Sequence, residues 1–430
     1  MRKSKFLSVL TATTLALTLA VPTVMPLELT TGVVKAVEVT TTAPSQKIEG
    51  RCGDNAIYSY DKATRTLTIS GTGAMWNGTK YSHLGTVDKI VIGNGITVIG
   101  EDAFSKFEFV GSAEISDTVT TIKSNAFKDL KSITIPKTVR TVETDAFNGV
   151  GKVVVEGDMN NFQYGALRDE VQEVQLKGSA ETLGLALAKV DDPTVTIAKD
   201  NNRCRIANGC LVSSDGKTVY YHISDSNKVT IPDTAVTIKS AAFYKQEIEE
   251  VKLGKNVKTI EPYAFEESGV SKLTTNSKLK KIGRCAFKET NLKKVTLKSS
   301  VAMSPKAFDQ KVILTSTKSL KSAKTVMTSA TFKKNKINAK FAKLTGAKGY
   351  QVQIKKGGKT YKYFTTKTSI KVKAPKVFKK KYNVSFSYDI DNYTSKIEGK
   401  PAYISVRPYK IVKKNKKSYG KWSEKIVLTK

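Results

Sequence analysis

The residues that could carry out covalent chemistry are few. A thiol beside an imidazole can act as nucleophile and base, and Cys210 and His222 could be paired in this way. We expect a hairpin turn to separate them, and the sequence offers no group that would orient the imidazole. The pair is therefore predicted not to be catalytic, and the chain is predicted not to be an enzyme.

Other reactive or metal-binding arrangements are equally weak. Acids that are adjacent on a strand or turn point in different directions, whereas a glycosidase needs two carboxyls facing across a cleft. The adjacent acids are Asp191-Asp192, Glu249-Glu250 and Glu266-Glu267. The two histidines, His83 and His222, lie in no cluster, and the cysteines lack the Cys-x-x-Cys spacing of a zinc site. No phosphate-binding glycine loop is present, so we expect no metal and no cofactor.

The positive charge of the chain is concentrated near its C-terminus. The formal net charge is +34, and residues 331–430 hold 28 Lys or Arg against four Asp or Glu. The candidate ligand-binding residues are lysines bunched in two turns: Lys379, Lys380, Lys381, Lys413, Lys414, Lys416 and Lys417. Such a field concentrates polyanions, although a solvated face selected for solubility would have the same composition. Because Arg407 is the single arginine of this segment, and Lys lacks the bidentate base readout of Arg, we expect no specific nucleic-acid partner.

An internal repeat must position these side chains. A short strand, a turn, an Ile or Val, three polar or small residues and Ala-Phe recur about every 20 to 23 residues, which is the leucine-rich-repeat range. The repeats end at Phe104, Phe127, Phe147, Phe243, Phe265, Phe287 and Phe308. One such unit cannot bury its apolar face alone, so stacked coils must share a core through these phenylalanines. The stretch from Gly151 to Ile238 is less regular and has room for about four more coils.

The strands of the coils are read from their period-two alternation. They begin at Lys89, Ser132, Lys228, Glu250 and Lys294, and their outward polar positions form the expected binding face: Lys89, Ser132, Thr134, Lys228, Thr230, Lys252, Lys294 and Thr296. Strand–turn–strand patterns predict an N-terminal cap after Cys52 and a hairpin around Ser213-Ser214-Asp215-Gly216. The aromatics Trp76, Tyr81, Tyr220, Tyr221 and Tyr244 could mark a binding face, but we favour packing in the cap and coils.

The four cysteines leave one disulfide question open. Cys204 and Cys210 flank the turn signal Asn208-Gly209, so they could form a local bridge or remain two buried thiols. Cys52 and Cys285 lie at opposite ends of the repeat array, and we expect them not to pair.

The segments IKSNAF, IPKTV, LTISGTGAM and NGCLVSSDGKTVYY resemble the BspA-like class of bacterial leucine-rich repeats over roughly residues 50 to 310. Members of this class are secreted or surface proteins associated with adhesion and protein–protein contact. The resemblance implies no catalytic residues. It predicts a leucine-rich-repeat β-solenoid with an N-terminal cap over 50–310.

The composition changes after the solenoid. Residues 311–330 are rich in Ser, Thr and Lys and are interpreted as a linker that could include a final strand. Several short alternating strands then suggest a β-sandwich, and TGAKGYQVQIKK, YISVRPYKIV and YGKWSEKIVL resemble fibronectin type III domains of Gram-positive surface proteins. The overall prediction is a mainly β chain whose solenoid precedes a basic fibronectin type III-like domain over 331–430, with Ser387 to Lys400 as an extended loop.

The N-terminus has the pattern of an export signal. Basic residues precede an apolar run from Phe6 to Val21, and Val34-Lys35-Ala36 offers small residues for a signal peptidase. We predict that residues 1–36 are a signal peptide and 37–49 a flexible mature N-terminus, the alternative being an uncleaved anchor. After cleavage, no segment is predicted to span a membrane.

These features predict a secreted, surface-associated binding and adhesion protein. The solenoid would recognise an extracellular protein or glycan, and the basic domain would dock to an anionic cell-wall polymer or to host glycosaminoglycan or mucin. The alternatives are a secreted hydrolase or its accessory subunit, and a cell-envelope spacer without a specific ligand.

Overall fold

The computed structural model describes residues 47–78, 81–108, 110–168, 170–317, 319–375, 378, 385–389, 394–398, 401–412 and 415–428. Within it, Ser45–Lys430 form one compact unit. The predicted signal peptide lies outside the described residues, as do Lys379, Lys380, Lys381, Lys413 and Lys414.

The first part of the chain is a stack of coils closed by an antiparallel cap. Its elements are β1 (Lys47–Arg51), β2 (Gly53–Asp61), β3 (Thr66–Met75), β4 (Lys89–Ile92), β5 (Ile96–Ile99), β6 (Ser112–Ile115), β7 (Thr121–Ile122), β8 (Phe127–Lys128), β9 (Ser132–Ile135), β10 (Thr141–Val142), β11 (Phe147–Asn148), β12 (Lys152–Val155), β13 (Leu167–Arg168), β14 (Glu173–Leu176), the short helix α1 (Leu183–Ala186) and β15 (Thr194–Ile197). The predicted cap is confirmed, because β1, β2 and β3 form an antiparallel meander.

Each coil of this first stack adds one strand to each of several parallel ladders. The longest ladder runs β3-β4-β6-β9-β12-β14-β15, and a second runs β3-β5-β7-β10 because the two ends of β3 pair with different strands. A third, β8-β11-β13, begins at Phe127, Phe147 and Leu167 of successive coils. The coil strands predicted at Lys89 and Ser132 have the expected bounds.

A second stack follows. Its elements are β16 (Cys204–Ala207), β17 (Cys210–Ser213), β18 (Thr218–His222), β19 (Lys228–Thr230), β20 (Thr237–Ile238), β21 (Glu250–Lys252), β22 (Thr259–Ile260), β23 (Lys272–Thr274), β24 (Lys281–Ile282), β25 (Lys294–Leu297), β26 (Ala302–Met303) and β27 (Ile313–Ser316). The hairpin predicted around Ser213 is confirmed as the antiparallel pair β17–β18, and parallel ladders β18-β20-β22-β24-β26 and β19-β21-β23 then resume.

The two stacks have separate apolar cores that meet at the β17–β18 hairpin. Leu211 and Tyr220 of the hairpin pack into the first core, whereas Val212 and Val219 pack into the second. Helix α1 lies against the second stack, where a Cβ on Gly184 would be 2.6 Å from the carbonyl oxygen of Ala241. The irregular region from Gly151 to Ile238 therefore contains four main coil strands, β12, β14 and β15 before this junction hairpin and β19 after it.

A ladder of rings fills each core. The phenylalanines that the repeat identified are at most 1% exposed. Ring centroids lie 5.2 Å apart for Phe104–Phe127 and 5.6 Å for Phe127–Phe147. In the second stack the successive separations are 4.5, 4.9 and 5.1 Å from Phe243 to Phe308. His222 begins this second ladder, 5.5 Å from the Phe243 ring.

The residue before each Ala-Phe turns the chain inward in a left-handed conformation. In the first stack this position holds Asp102, Asn125 and Asp145, with φ of 54°, 53° and 57°. In the second stack it holds Ala241, Tyr263, Cys285 and Lys306, with φ of 55°, 60°, 54° and 63°. Asp and Asn adopt this conformation more readily than the other four types, so the second stack carries more backbone strain at its turns.

The C-terminal region adds antiparallel sheets to the last coils. It contains a 3-10 helix (Leu320–Ser322), β28 (Met327–Lys333), β29 (Lys336–Phe341), β30 (Lys343–Leu344), β31 (Gly349–Lys356), β32 (Lys359–Thr365), β33 (Ser369–Lys373), β34 (Ser385–Asp389), β35 (Thr394–Glu398), β36 (Tyr403–Ile411), β37 (Lys417–Tyr419) and β38 (Ile426–Val427). One sheet has the order β28-β29-β33 and another β32-β31-β36-β37, with β38 also on β36. Val352 and Ile404 of the larger sheet and Ile337 of the smaller one share the core of the second stack.

The prediction for one segment is confirmed in part and that for another is wrong. Residues 311–330 contain the final strand that the prediction allowed, β27, which pairs in parallel with β25 and with β30, but Val326 and Met327 are buried and so do not belong to a free linker. The extended loop predicted from Ser387 to Lys400 is wrong, because β34 and β35 pair there as an antiparallel hairpin. These two strands are close in sequence, and composition alone does not show that such a segment pairs.

Candidate ligand-binding faces

The outer face of the main strands is largely polar. Lys228, Thr230 and Lys252 are exposed while the residues between them are buried, as the alternation predicted. In the parallel register, Lys228 lies beside Glu250 and Thr230 beside Lys252. The remaining positions expected on this face, Lys89, Ser132, Thr134, Lys294 and Thr296, also alternate with buried neighbours.

Ion pairs between neighbouring coils neutralise much of the charge on this solenoid face. Lys272 Nζ lies 2.9 Å from Glu250 Oε2, and Lys152 Nζ lies 3.1 Å from Glu173 Oε1. Lys89 likewise pairs with Glu114. Exposed pairs of this kind add little stability, but they leave the face electrically mixed rather than strongly positive.

A column of threonines runs along the second stack beside these charges. Thr274 lies beside Lys252, Thr296 lies beside Thr315, and the hydroxyl of Thr315 lies 3.1 Å from that of Thr345. Regularly spaced hydroxyls and ammonium groups can hydrogen-bond to glycan hydroxyls or to an extended peptide.

A second polar face lies on the outer side of the larger C-terminal sheet. The register places Gln351 of β31 between Phe364 of β32 and Arg407 of β36. Phe364 is 49% exposed, and its ring lies 6.0 Å from that of Tyr409, which lies 6.1 Å from Tyr419. This row, defined by Phe364, Arg407, Tyr409, Lys417, Tyr419 and Trp422, is called here the aromatic–basic face.

Cations cover the rings of this face. Arg407 Cζ lies 4.0 Å from the ring centroid of Tyr419 and 4.5 Å from that of Trp422. Lys417 Nζ lies 5.1 Å from the centroid of Phe364 and 5.6 Å from that of Tyr409. These are cation–π distances. Of the seven lysines predicted to bind ligand, Lys416 and Lys417 fall in the described part of the chain, and both are exposed.

The sequence interpretation missed this face. It considered Trp76, Tyr81, Tyr220, Tyr221 and Tyr244, of which Tyr81, Tyr220 and Tyr221 are buried and Trp76 is 39% exposed. The signal that could have found it is the period-two placement of Tyr403, Arg407 and Tyr409 on one strand. The cross-strand neighbours that complete the row come from the pairing register, which one strand alone does not reveal.

The junction between the stacks holds a groove of about 710 Å³. Its walls include the predicted acid pair Asp191-Asp192 on the first stack and His222, Tyr244 and Gln246 on the second. The hydroxyls of Tyr164 and Tyr244 lie 3.1 Å apart across the junction. No group of His, Cys, Asp and Glu suited to a metal ion occurs among the residues that the structure describes.

Cys210 and His222 lie closer together than we predicted. They are direct partners across the β17–β18 pair, and Gln246 Oε1, 3.0 Å from His222 Nδ1, orients the imidazole. Within the described chain, however, no hydrogen bond joins the thiol to the imidazole. Burial raises the pKa of Cys210 to about 12, and burial lowers the pKa of His222. A fully buried thiol with this pKa remains protonated and is a poor nucleophile.

The local disulfide considered between Cys204 and Cys210 does not form. All four cysteines are free and buried. In the β16–β17 register, Cys210 lies opposite Ala207, three residues from Cys204, or roughly 10 Å along the strand. Because Cys204 is an odd number of residues from the partner of Cys210, the two cysteine side chains point to opposite faces of the sheet. Cys204 packs in the first core and Cys210 in the second. A disulfide needs a Cα separation below about 7 Å.

Stacked parallel coils with a shared aromatic ladder and a polar outer strand face define a leucine-rich-repeat solenoid. The family model for the BspA type leucine rich repeat region matches residues 63–169 and 215–338, with six copies. The chain belongs to this family.

Three solved structures are similar to this chain at low sequence identity. The pneumococcal vaccine antigen PcpA is 14% identical, with 63% of this chain and 82% of that chain covered and a TM-score of 0.42. A leucine rich cell surface protein from Faecalibacterium prausnitzii is 12% identical, with 62% and 88% covered and a TM-score of 0.35. A leucine-rich repeat protein from Eubacterium ventriosum is 16% identical, with 62% and 95% covered and a TM-score of 0.30. No curated protein matches significantly. Within the described ranges, no helix has the length and apolar character needed to cross a bilayer.

Proposed function

We propose that this chain is a secreted, surface-associated binding and adhesion protein. Its solenoid presents the outer strand face to a protein or glycan ligand, and its lysine-rich C-terminal region, a fibronectin type III-like sandwich, docks to an anionic polymer of the cell wall or host. Membership of a leucine-rich-repeat family found on surface proteins supports a ligand-binding role.

The excess of positive charge in the C-terminal region carries the docking half of the proposal. In the solenoid, lysines are paired with acids of neighbouring coils, as Lys272 is with Glu250 and Lys152 is with Glu173. Residues 331–430 contain 28 basic and only four acidic residues. The four acids can neutralise only four of the 28 basic residues. An external polyanion would therefore be attracted by a net charge of +24.

The groove at the junction supports binding rather than catalysis. His222 lies on its wall, but Cys210, the partner of His222 across the hairpin, is fully buried and does not line the groove, and burial raises the pKa of the Cys210 thiol to about 12. The acids that line the groove are Asp191 and Asp192 on the first stack and Asp225 and Glu247 on the second. A buried, protonated thiol is not an activated nucleophile, and we propose that the protein has no enzymatic activity.

The test measures binding of residues 37–430 to immobilised wall fragments, heparin and mucin over a salt series. A variant with Lys413, Lys414, Lys416 and Lys417 changed to Gln is compared with a control in which four exposed solenoid lysines outside the main-strand face, Lys137, Lys258, Lys280 and Lys281, are changed to Gln. Both lose four charges. We expect the first variant to bind at least about tenfold more weakly near 0.15 M salt and to lose much of its salt dependence, while the control changes by less than about threefold.

Equal losses in the two variants would contradict docking through the C-terminal region. Wild-type protein that binds no polyanion even at low salt would refute docking altogether and favour a spacer role.

A further inference from the structure

Arg407 is held in a fixed orientation on the aromatic–basic face. It is the only arginine among the basic residues of 331–430. Its Nε donates a hydrogen bond of 2.8 Å to Oε1 of Gln351, a side chain that is itself only 4% exposed. The rings of Tyr419 and Trp422 pack on the guanidinium. Binding to this planar guanidinium therefore costs little conformational entropy, because the side chain is already ordered.

The outer edge of the guanidinium is available to a ligand. Among the described residues, Nε is the nitrogen through which Arg407 donates to protein, and neither terminal amino group is buried without a partner. The side chain is partly exposed, so these N–H groups face solvent. Burial of the rest of the group lowers the pKa of Arg407, which remains charged. A partly desolvated cation gains more from an oxyanion than a fully hydrated lysine does.

The neighbouring rings indicate which class of ligand carries the oxyanion. Phe364 is 49% exposed even with Lys417 Nζ 5.1 Å from its ring centroid, whereas Tyr409 is 7% exposed and Arg407 lies over the rings of Tyr419 and Trp422. Single-stranded nucleic acid requires a series of open rings on which successive bases stack. One open ring is enough for the apolar face of one sugar. Phe364 and Arg407 lie on strands either side of Gln351, about 10 Å apart, a span that neighbouring sugars of one chain can bridge.

We propose that the aromatic–basic face is a binding site for a carboxylated polysaccharide. Arg407 binds the carboxylate of an acidic sugar through its two terminal amino groups, Phe364 packs on the apolar face of a neighbouring sugar, and Lys417 adds positive charge. The planar fork of Arg matches the two oxygens of a carboxylate. This inference rests on the proposed function, because it names the ligand class for which the C-terminal region is specific.

The test uses residues 37–430 and four soluble probes: polygalacturonate, polyglutamate, inorganic polyphosphate and single-stranded oligo-dT. Arg407→Lys keeps the charge but loses the fork, so we expect it to bind polygalacturonate and polyglutamate about tenfold more weakly and polyphosphate nearly as wild type. Phe364→Ala should weaken polygalacturonate binding and leave polyglutamate unchanged. The matched control Lys371→Gln removes one exposed charge on another sheet and should change every probe by less than about twofold.

The outcomes separate this inference from the proposed function. If wild-type protein binds no probe at low salt, both fail. If it binds the probes but Arg407→Lys binds polygalacturonate like wild type, or Phe364→Ala weakens oligo-dT as much as polygalacturonate, the carboxylated-sugar site is refuted and polyanion docking stands. Thermal melts confirm that each variant is folded, and because Phe364 is half exposed, its variant remains informative if Arg407→Lys is destabilised.

Discussion

The left-handed turn at Lys306 makes a quantitative prediction about stability. Its φ of 63° is a conformation that costs a residue with a Cβ about 1 kcal/mol, whereas Asn adopts it more easily. The Lys306 amide donates to the carbonyl oxygen of Met327 at 3.0 Å, a bond that any non-proline substitution retains. No ion pair among the described residues uses its ammonium group. Replacing Lys306 with Asn, the type found at Asn125 in the first stack, should therefore stabilise the fold by about 0.5–1 kcal/mol.

Two further variants isolate the backbone effect. Lys306→Ala removes the side chain but keeps the Cβ and should be close to neutral. Lys306→Gly relieves the backbone strain but increases the conformational entropy of the unfolded chain. The two effects on stability should largely cancel. Urea unfolding followed by far-UV circular dichroism, with hydrogen exchange at the Lys306 and Phe308 amides, measures the differences. If Ala stabilises as much as Asn, or Asn gives no gain, the argument from backbone conformation is wrong.

Three other predictions concern the core and the junction. Phe265→Ala should lower the free energy of unfolding in urea by about 3–5 kcal/mol, because the ring is buried between two rings at 4.5 and 4.9 Å. The control Phe364→Ala, at a half-exposed ring, should lower it by less than about 1 kcal/mol. Similar losses in the two variants would contradict a stabilising ladder of rings. Burial lowers the pKa of His222 below 6.5, so on acidification the unfolded state binds this proton before the folded state does. The urea midpoint of unfolding should therefore fall as the pH drops below about 6.5. His222→Phe places another ring in the ladder and should remove that part of the decline. Lys288→Met removes the ion-pair partner that lies 2.9 Å from buried Glu266 and should lower the free energy of unfolding by about 1–2 kcal/mol at pH 7. The loss should be smaller at acid pH, because burial raises the pKa of Glu266 and the carboxyl is then more readily protonated. A loss that does not depend on pH would contradict this.

The regular part of the fold could be predicted because its signal is local and repeated. Ala-Phe spacing identified the stacked rings, and alternation identified strands such as β9 and β25 with their observed bounds. The region between the two groups of repeats gave a weaker signal. Its length predicted further coils and its turn residues predicted the hairpin, but Leu167 and His222 stand where the repeat would place Phe. What the sequence did not show is that the hairpin divides the apolar core into two.

The candidate site depended on information that the sequence holds only indirectly. The density of lysine was visible, but Arg407 looked like an isolated exception until the register placed it beside Gln351 and against Tyr419 and Trp422. Cys210 and His222 were expected to be apart because the turn between them was read as a separator, whereas a tight hairpin brings its two arms together. Pairing register, rather than composition, decided both cases.

The segregation of charge gives the molecule an electrical polarity along its length. Residues 331–430 hold +24 of a net +34, while lysines of the solenoid are largely matched by acids. Such an asymmetry gives a large dipole moment, and the field of a negatively charged surface exerts a torque on it before contact. Long-range attraction to such a surface would therefore also orient the protein, with its lysine-rich region towards the negative charge.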